Sequence, residues 1–417
     1  CISEIFIMVL SKKHGSLLIF VSCFTYSVAY LGRLSYAANL TAVAEACSVS
    51  KESLGMVSSM LFFAYGGGQI LHFFLAKYYP PRITVLLGML MTAACNVLLA
   101  LAPDVASMRV IWLINGFVQS FFWCNICNTI AKYLASSQLR TWIMFGGFSY
   151  CFGTFAIYGL SALFVSVNYK ITFYIIAALS VFAGILWFVS LGFFEKAPKS
   201  EEPEHETKQV TAAKGFYRGM VLVIIGFVAF SAVCNSFIRD GVLTWLPTIL
   251  KTDFGFGDSS AVLITMGLSL LSCAGVYAAR ILSRKVKSRL ASISIVFAVL
   301  AIFLGGGILS YKSSAVVPFI LCFVVIICSI YCNGNFITSV IPFGIRKFGN
   351  VGGLSALLDA FCYVGAPAAT TVFGAVADKS GWSAVLALIT VVAAVAAAVC
   401  LVGSLLSRRG EITRQIF

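Results

Sequence analysis

The sequence predicts an all-α membrane protein with twelve transmembrane helices in two six-helix halves and both termini in the cytoplasm. Three observations support this prediction: the apolar content, the order of the apolar runs and the placement of the basic residues. Hydrophobic residues make up 60% of the 417 residues and charged residues only 11%, whereas soluble domains carry roughly a quarter charged residues. One helical crossing uses about 20 apolar residues, so the chain has material for about twelve crossings. This composition excludes a soluble enzyme.

Apolar runs separated by charged or turn-forming clusters give the predicted helices in chain order. The runs are 15–44, 54–76, 83–103, 107–131, 141–166, 171–194, 219–250, 260–279, 290–311, 314–342, 351–376 and 381–406. The first run has no cleavage-site pattern and is predicted to be a retained span. A polar segment after the sixth run buries too little apolar surface to fold. We therefore predict an N-terminal half at 1–194, a cytoplasmic linker at 195–218, a C-terminal half at 219–406 and a cytoplasmic tail at 407–417.

Basic residues set the predicted orientation. Most of the 29 Lys and Arg residues fall in loops on the same side as the amino terminus, which is the cytoplasmic side by the positive-inside rule. This placement explains the net charge of +14 without a nucleic-acid partner. A shift of 206 residues carries Arg33 onto Arg239 and Arg140 onto Arg346, so the two halves read as duplicates. Parallel six-helix repeats are the arrangement of major facilitator transporters, which bind substrate where their repeats meet.

Arg33 and Arg239 are the two basic residues deep inside predicted spans, whereas Arg109 lies at the start of its run and is assigned to the outer face. An arginine deep in a span is costly and persists where it faces a watery cavity or a partner. Its guanidinium stays charged and presents a fork of N–H donors that matches phosphate or carboxylate oxygens. Two such residues at symmetric positions indicate a shared site for an oxyanion. A structural ion pair is the alternative.

Two acidic residues also lie in predicted spans. Asp240 adjoins Arg239 and could neutralise an arginine in an ion pair; because neighbouring helical residues point about 100° apart, we also expect it to face an adjacent helix and orient a partner. Asp359 lies in the eleventh run. It is predicted to serve either in an ion pair or as a proton-coupling carboxylate, since desolvation favours its protonated form.

Tyr26 and Tyr30 precede Arg33 by seven and three residues and share its helical face, where their hydroxyls suit a polar ligand. Helix packing is the alternative role for these tyrosines. The sequence predicts no metal site, cofactor or catalytic group. The three histidines are far apart, and Cys124 and Cys127 form a lone pair where zinc needs four ligands. The 14 cysteines lie mostly in apolar runs, and we expect them to be reduced.

Several motifs resemble those of the organophosphate:phosphate antiporters of the major facilitator superfamily, and the likeness runs nearly end to end. The most specific segment is Arg239-Asp-Gly-Val-Leu-Thr-Trp-Leu-Pro-Thr-Ile-Leu250, which is similar to the family's segment bearing the second phosphate-clamping arginine. The other matching residues are Tyr26, Tyr30 and Arg33, Ala64-Tyr65-Gly66 with Pro81-Arg82 and Gly88, Gly116, Gln119 and Trp123, and Tyr363 with Gly365. The resemblance implies a substrate site formed by Arg33, Arg239, Tyr26, Tyr30, Gln69, Gln119, Trp123 and Tyr363.

The chain also departs from the glycerol phosphate carriers of that family. Gln69 stands where they place a site lysine, and Tyr150 or Cys151 where they place a histidine. The pocket is therefore expected to be less basic.

The resemblance implies exchange of a small phosphorylated organic anion, of the glycerol phosphate or sugar phosphate class, for inorganic phosphate by alternating access. The expected partners are that anion, phosphate and the lipid of the cell (inner) membrane, with a monomer as the functional unit. One alternative is a proton-coupled organic-anion symporter that uses Asp359 or Asp240. Another is a transporter-like membrane sensor.

Overall fold

The computed structural model describes residues 6–39, 42–43, 46, 51–75, 78–203, 219–346 and 350–407. The first six helices are α1 (Lys12–Ala38), α2 (Lys51–Leu75), α3 (Pro81–Leu101), α4 (Val105–Tyr133), α5 (Ser136–Asn168) and α6 (Lys170–Lys196). The remaining helices are α7 (Met220–Thr252), α8 (Asp258–Lys285), α9 (Arg289–Lys312), α10 (Val316–Asn335), the short α11 (Ile341–Gly344) and α12 (Val351–Ser407).

Local sequence accounts for where several helices begin. The Ser11 hydroxyl, the Asp104 carboxylate and the Ser288 hydroxyl each accept a backbone N–H bond from the first turn that follows. Such side chains satisfy amides that have no partner within the helix. At Asp104 the bond from the Ser107 amide also holds the carboxyl pKa below its usual value. These caps fix the starts of α1, α4 and α9.

Eleven helical segments among the described residues are long and apolar enough to cross a membrane, by length and composition. Helix α12 contains two of these spans, Val351–Ala369 and Val372–Ser407, and Gly381, with φ 76°, interrupts the helix within the second of them. Helix α2 is not among the eleven, since Gln69, His72 and the glycines at 66–68 dilute its apolar residues. With 25 residues it still extends about 37 Å at the usual helical rise, enough to span a bilayer. The predicted all-α membrane class is confirmed.

The helices pack into two compact units. Unit 1 contains Cys1–Ala212 together with Asn350–Ala360, and unit 2 contains Ala213–Gly349 together with Phe361–Phe417. Within unit 1, α2 packs on α4, α3 on α6 and α1 on α5 and α6. Within unit 2, α10 packs on α8 and α9, and α7 on α8.

Glycines bring two of these helix pairs into close contact. A side chain at Gly116 of α4 would meet the Leu61 carbonyl of α2, and one at Gly275 of α8 would meet the Cys328 carbonyl of α10. Small residues at such positions let helix backbones approach closely in membranes. In the predicted duplication of the spans, α2 and α4 of unit 1 correspond to α8 and α10 of unit 2. The same pair of spans is therefore packed tightly in each unit.

A two-stranded antiparallel sheet joins the beginning of the chain to the polar segment after α6. Strand β1 (Phe6–Leu10) pairs with β2 (Lys199–Pro203), with Phe6 opposite Pro203 and Leu10 opposite Lys199. The sequence analysis did not anticipate either strand. Strand pairing between segments this distant in sequence leaves no local pattern, and β2 lies within the segment expected to remain unfolded.

Candidate functional site

Arg33 is buried in α1 with aromatic rings around its guanidinium. The side chain is only 4% exposed, and its guanidinium carbon lies 4.6 Å from the ring centroid of Tyr30 and 4.2 Å from that of Tyr65. Cations within about 6 Å of an aromatic face are attracted by the ring quadrupole. The two rings therefore stabilise a charge that would otherwise be costly within a span.

Asp359 meets the same Tyr65 side chain from the other end. The Tyr65 hydroxyl donates to Asp359 Oδ2 at 3.0 Å, and Gln69 Nε2 donates to the same oxygen at 2.8 Å. Tyr65 and Gln69 are four residues apart and share a face of α2. Asp359 belongs to the stretch of α12 that is part of unit 1. Tyr65 thus presents its ring to a cation and its hydroxyl to an anion.

An aromatic chain continues from Tyr30 toward α4. Tyr26 packs edge-on against Tyr30, with ring centroids 5.2 Å apart, and tilts against Trp123, with centroids 4.6 Å apart. The indole nitrogen of Trp123 donates to Ser355 Oγ at 2.7 Å. This chain links α1, α4 and the first residues of α12 within unit 1. It places the predicted residues Tyr26, Tyr30 and Trp123 together.

Buried amides hold α1 just before Arg33. Asn115 Nδ2 donates to the Gly32 carbonyl at 3.1 Å, and Asn96 Nδ2 donates to the same oxygen at 3.4 Å. Gln119, which the sequence predicted as a substrate ligand, donates from Nε2 to Thr92 Oγ1 at 3.3 Å. Its Nε2 would also lie 3.3 Å from a β-carbon at Gly32. Gln119 therefore lies beside the backbone that carries Arg33.

Arg239 of α7 pairs with its neighbour in sequence. Arg239 Nε donates to Asp240 Oδ1 at 2.9 Å and Nη2 donates to Oδ2 at 2.8 Å, which is a bidentate ion pair. The two side chains are 29% and 26% exposed. An ion pair was one of the roles considered for Asp240, and it forms because the long arginine side chain bends back to reach the neighbouring carboxylate. One edge of the guanidinium is thereby occupied.

Tyr363 lies in the part of α12 that belongs to unit 2, where it is half-buried. Two residues further on, a side chain at Gly365 would meet the Val233 carbonyl of α7. This glycine lets α12 approach α7 closely. Of the predicted site residues, Arg239, Asp240 and Tyr363 belong to unit 2 and the others belong to unit 1.

The sequence analysis gave no role to two residues that the structure brings into the unit 1 cluster, Tyr65 and Ser355. Tyr65 appeared there only as part of a motif match, although its spacing of four residues from Gln69 is a usable signal for a shared helical face. Ser355 contacts Trp123 over a separation of 232 residues. No short-range pattern predicts such a contact.

Metal ligands do not cluster in the part of the chain that the structure describes. No group of three His, Cys, Asp or Glu side chains within that part is arranged to hold an ion. Cys124 and Cys127 are both buried free thiols. The described site residues are therefore arginine, tyrosine, tryptophan, amide and carboxylate groups.

A polytopic helical chain with arginines inside its spans has the build of a membrane transporter. The model of the Major Facilitator Superfamily matches residues 20–369. The chain belongs to this superfamily and is a multi-pass membrane protein, and its relatives and structural neighbours are transporters, not enzymes.

Among relatives, the chain is similar to the glycerol-3-phosphate transporter of Bacillus subtilis (strain 168), with 24% identity over 272 residues that cover 60% of each chain. It is also similar to the probable hexose phosphate transport protein of Chlamydia pneumoniae, with 24% identity over 131 residues, or 31% of this chain and 29% of the relative. The matches therefore span less than two thirds of the length of these relatives.

Solved structures of other superfamily members share the fold. One is the proton:xylose symporter XylE bound to 6-bromo-6-deoxy-D-glucose, with a TM-score of 0.72, 13% identity and 96% of each chain covered. Another is FucP in its outward conformation, with a TM-score of 0.68, 12% identity, and 95% of this chain and 100% of that chain covered. At these identities the likeness shows the fold alone.

Proposed function

We propose that the chain is a secondary active transporter that moves a small phosphorylated organic anion, of the glycerol phosphate or sugar phosphate class, in exchange for inorganic phosphate by alternating access. The observation that carries this proposal is the buried guanidinium of Arg33 between the rings of Tyr30 and Tyr65. A permanent positive charge inside a span, held by neutral aromatic faces, is suited to an anionic ligand.

Arg239 supplies the second positive charge in this proposal. Its ion pair with Asp240 uses Nε and Nη2, and a guanidinium has five N–H donors in a planar fork. The remaining donors suit the oxygens of a phosphate group. The similarity to a glycerol-3-phosphate transporter and a probable hexose phosphate transport protein supports the same class of substrate.

Exchange follows from the cost of holding positive charge inside membrane spans. Without an anion, the desolvation of the arginines opposes a change of state, and a bound phosphate relieves that cost. We therefore expect reorientation to be fast with substrate bound and slow without it. In the same proposal, the protein resides in the inner membrane with both termini in the cytoplasm and functions as a monomer.

A second candidate function is proton-coupled symport of an organic anion. The observation that favours it is the carboxylate of Asp359, which accepts two hydrogen bonds from α2 beside the rings that surround Arg33. A carboxylate in such a place can exchange a proton as its surroundings change. An imposed pH gradient drives substrate uptake if the protein is a proton-coupled symporter. It leaves phosphate exchange unaffected if the protein is a phosphate antiporter.

The test is phosphate counterflow in proteoliposomes that contain the purified protein. Radiolabelled phosphate enters wild-type vesicles preloaded with phosphate or glycerol 3-phosphate, and entry into vesicles without an internal anion is much slower. Arg33→Lys keeps the charge but loses the fork, and we expect it to lower exchange by about 100-fold, or roughly 2.7 kcal/mol. Arg140→Lys, at an exposed position near the start of α5, serves as the matched control and retains wild-type rates. Equal uptake with and without an internal anion refutes obligate exchange.

A further inference from the structure

Two asparagines of unit 2 are buried with amide atoms that make no hydrogen bond. Asn333 of α10 is 0% exposed, and neither its Oδ1 nor its Nδ2 has a partner. Asn235 of α7 is 1% exposed, and its Oδ1 has no partner. Polar groups inside a membrane-spanning helix are costly unless something satisfies them. These two amides are therefore unexplained by the packing of unit 2.

The two asparagines lie at the same level of their helices. Gly334, the residue after Asn333, has no side chain, and a β-carbon there would lie only 3.7 Å from Asn235 Nδ2. The Asn235 amide thus reaches the α10 backbone next to Asn333. A glycine at this position places no side chain between the Asn235 amide and the α10 backbone.

The backbone of α10 changes its geometry directly after Asn333. The Phe336 amide is shared between the carbonyls of Asn333 and Cys332, and a π-helical turn covers Phe336–Val340. Single π-helical turns inside α-helices occur frequently at functional sites. The π-helical turn is an observation independent of the unsatisfied amides, and it begins three residues after Asn333.

Asn39 is a buried asparagine with a structural role, and its hydrogen bonding differs from that of Asn333. Asn39, at the end of α1, donates from Nδ2 to the Ser35 carbonyl at 2.9 Å and accepts from Ser161 Oγ at 2.9 Å. Both ends of that amide are used, as is usual for buried polar groups. Asn333 has the opposite character, because neither end of its amide contributes to the fold.

Asn235 precedes Arg239 by four residues and lies on the same face of α7, about 6 Å away along the helix axis. We infer that Asn235 and Asn333 form a subsite for the hydroxyl groups of a phosphorylated polyol or sugar whose phosphate is held by Arg239. This inference rests on the proposed function and specifies the part of the substrate that is not phosphate. An amide both donates to and accepts from a hydroxyl. The subsite therefore favours hydroxylated phosphate esters over plain alkyl phosphates.

The experiment measures competition with phosphate exchange in proteoliposomes. Glycerol 3-phosphate and propyl phosphate share a phosphate on a three-carbon chain, and only the first carries free hydroxyls. In the wild type we expect glycerol 3-phosphate to inhibit at a concentration about tenfold lower or more, because a site built to bond a hydroxyl disfavours the analogue that lacks it. In Asn333→Leu the two inhibition constants converge, while the KM for phosphate stays within about twofold. Asn235→Ala shifts the ratio in the same direction and provides a second variant.

Thermal stability of the same purified proteins separates binding from structure. Asn333→Leu removes unsatisfied polar atoms at constant size, so its Tm equals or exceeds the wild-type value. Asn39→Leu, the matched control, breaks two satisfied bonds; it lowers the Tm and leaves the inhibition ratio unchanged. A lower Tm for Asn333→Leu with an unchanged ratio overturns the subsite.

Two further outcomes separate this inference from the proposed function. If the wild type exchanges phosphate but does not distinguish the two esters, the subsite is wrong and the exchange proposal stands. If phosphate is neither exchanged nor bound, while glycerol or xylitol raises the wild-type Tm and does not raise that of Asn333→Leu, phosphate exchange is wrong and the hydroxyl subsite stands.

Discussion

Asp240→Asn tests whether the Arg239 ion pair limits anion binding. The substitution keeps the size and one acceptor of the side chain but removes the negative charge that occupies Arg239 at 2.9 and 2.8 Å. A substrate phosphate must compete with that charge for the same guanidinium. We expect Asp240→Asn to bind phosphate more tightly than the wild type.

The magnitude follows from Coulomb's law and the exposure of the pair. Two unit charges 2.8 Å apart attract by about 1.5 kcal/mol at the dielectric constant of water and about 6 kcal/mol at an effective value of 20. The side chains are 29% and 26% exposed, so solvent screening favours the lower figure. The amide oxygen of the asparagine also keeps part of the hydrogen bonding. A gain of about 1.4 kcal/mol remains, which is roughly a tenfold lower KM for phosphate.

The assay is phosphate self-exchange in proteoliposomes as a function of external phosphate concentration. Asp253→Asn is the matched control. Asp253 follows the end of α7, apart from Arg239, and accepts a hydrogen bond of 2.7 Å from the Tyr311 hydroxyl. We expect its KM to equal that of the wild type. If Asp240→Asn folds normally and its KM is unchanged or higher, Asp240 does not compete with the substrate and the reasoning is refuted.

Three further predictions concern stability. Gly116→Ala forces a methyl group against a carbonyl of α2, and we expect it to lower the Tm by destabilising the fold by about 1–3 kcal/mol. In the control Gly159→Ala the added methyl group meets nothing within 4 Å, and the Tm is not lowered. Tyr65→Phe keeps the ring but removes a hydrogen bond to the Asp359 carboxylate; a loss of about 1.5–3 kcal/mol is expected, and an unchanged Tm counts against that bond. Asp104→Ala removes a capping carboxylate whose pKa is lowered in the folded state. The variant's Tm is therefore lower than that of the wild type at neutral pH, and the difference disappears as the pH falls below about 4. A Tm difference that does not depend on pH contradicts the cap.

Hydrophobic runs and charged breaks predicted the helices closely, because the bilayer makes helix length and apolar content nearly the same property. The predicted run 171–194 became α6, Lys170–Lys196, and 290–311 became α9, Arg289–Lys312. The differences lie at the ends, where polar residues cap helices outside the apolar run. The last two runs form one helix that is interrupted at Gly381, the first residue of the final run.

The candidate site was predictable where a residue type alone is informative. An arginine inside a span is rare enough to single out Arg33 and Arg239. The residues around Arg33 were harder to predict, because the hydrogen bond of Tyr65 to Asp359 joins positions 294 residues apart. Rotamer choice also decided the Arg239–Asp240 pair, and a helical wheel does not describe how a long side chain bends.

The pairing of β1 with β2 has a consequence for the biosynthesis of the protein. Phe6 leaves the ribosome before its partner Pro203, which follows nearly 200 residues later, or roughly 10–40 s at the usual rate of translation. During that interval helices α1 to α6 are synthesised, and β1 has no partner strand to pair with. The strand pair therefore closes after α6 is complete, and it marks the moment at which helices α1 to α6 have been made.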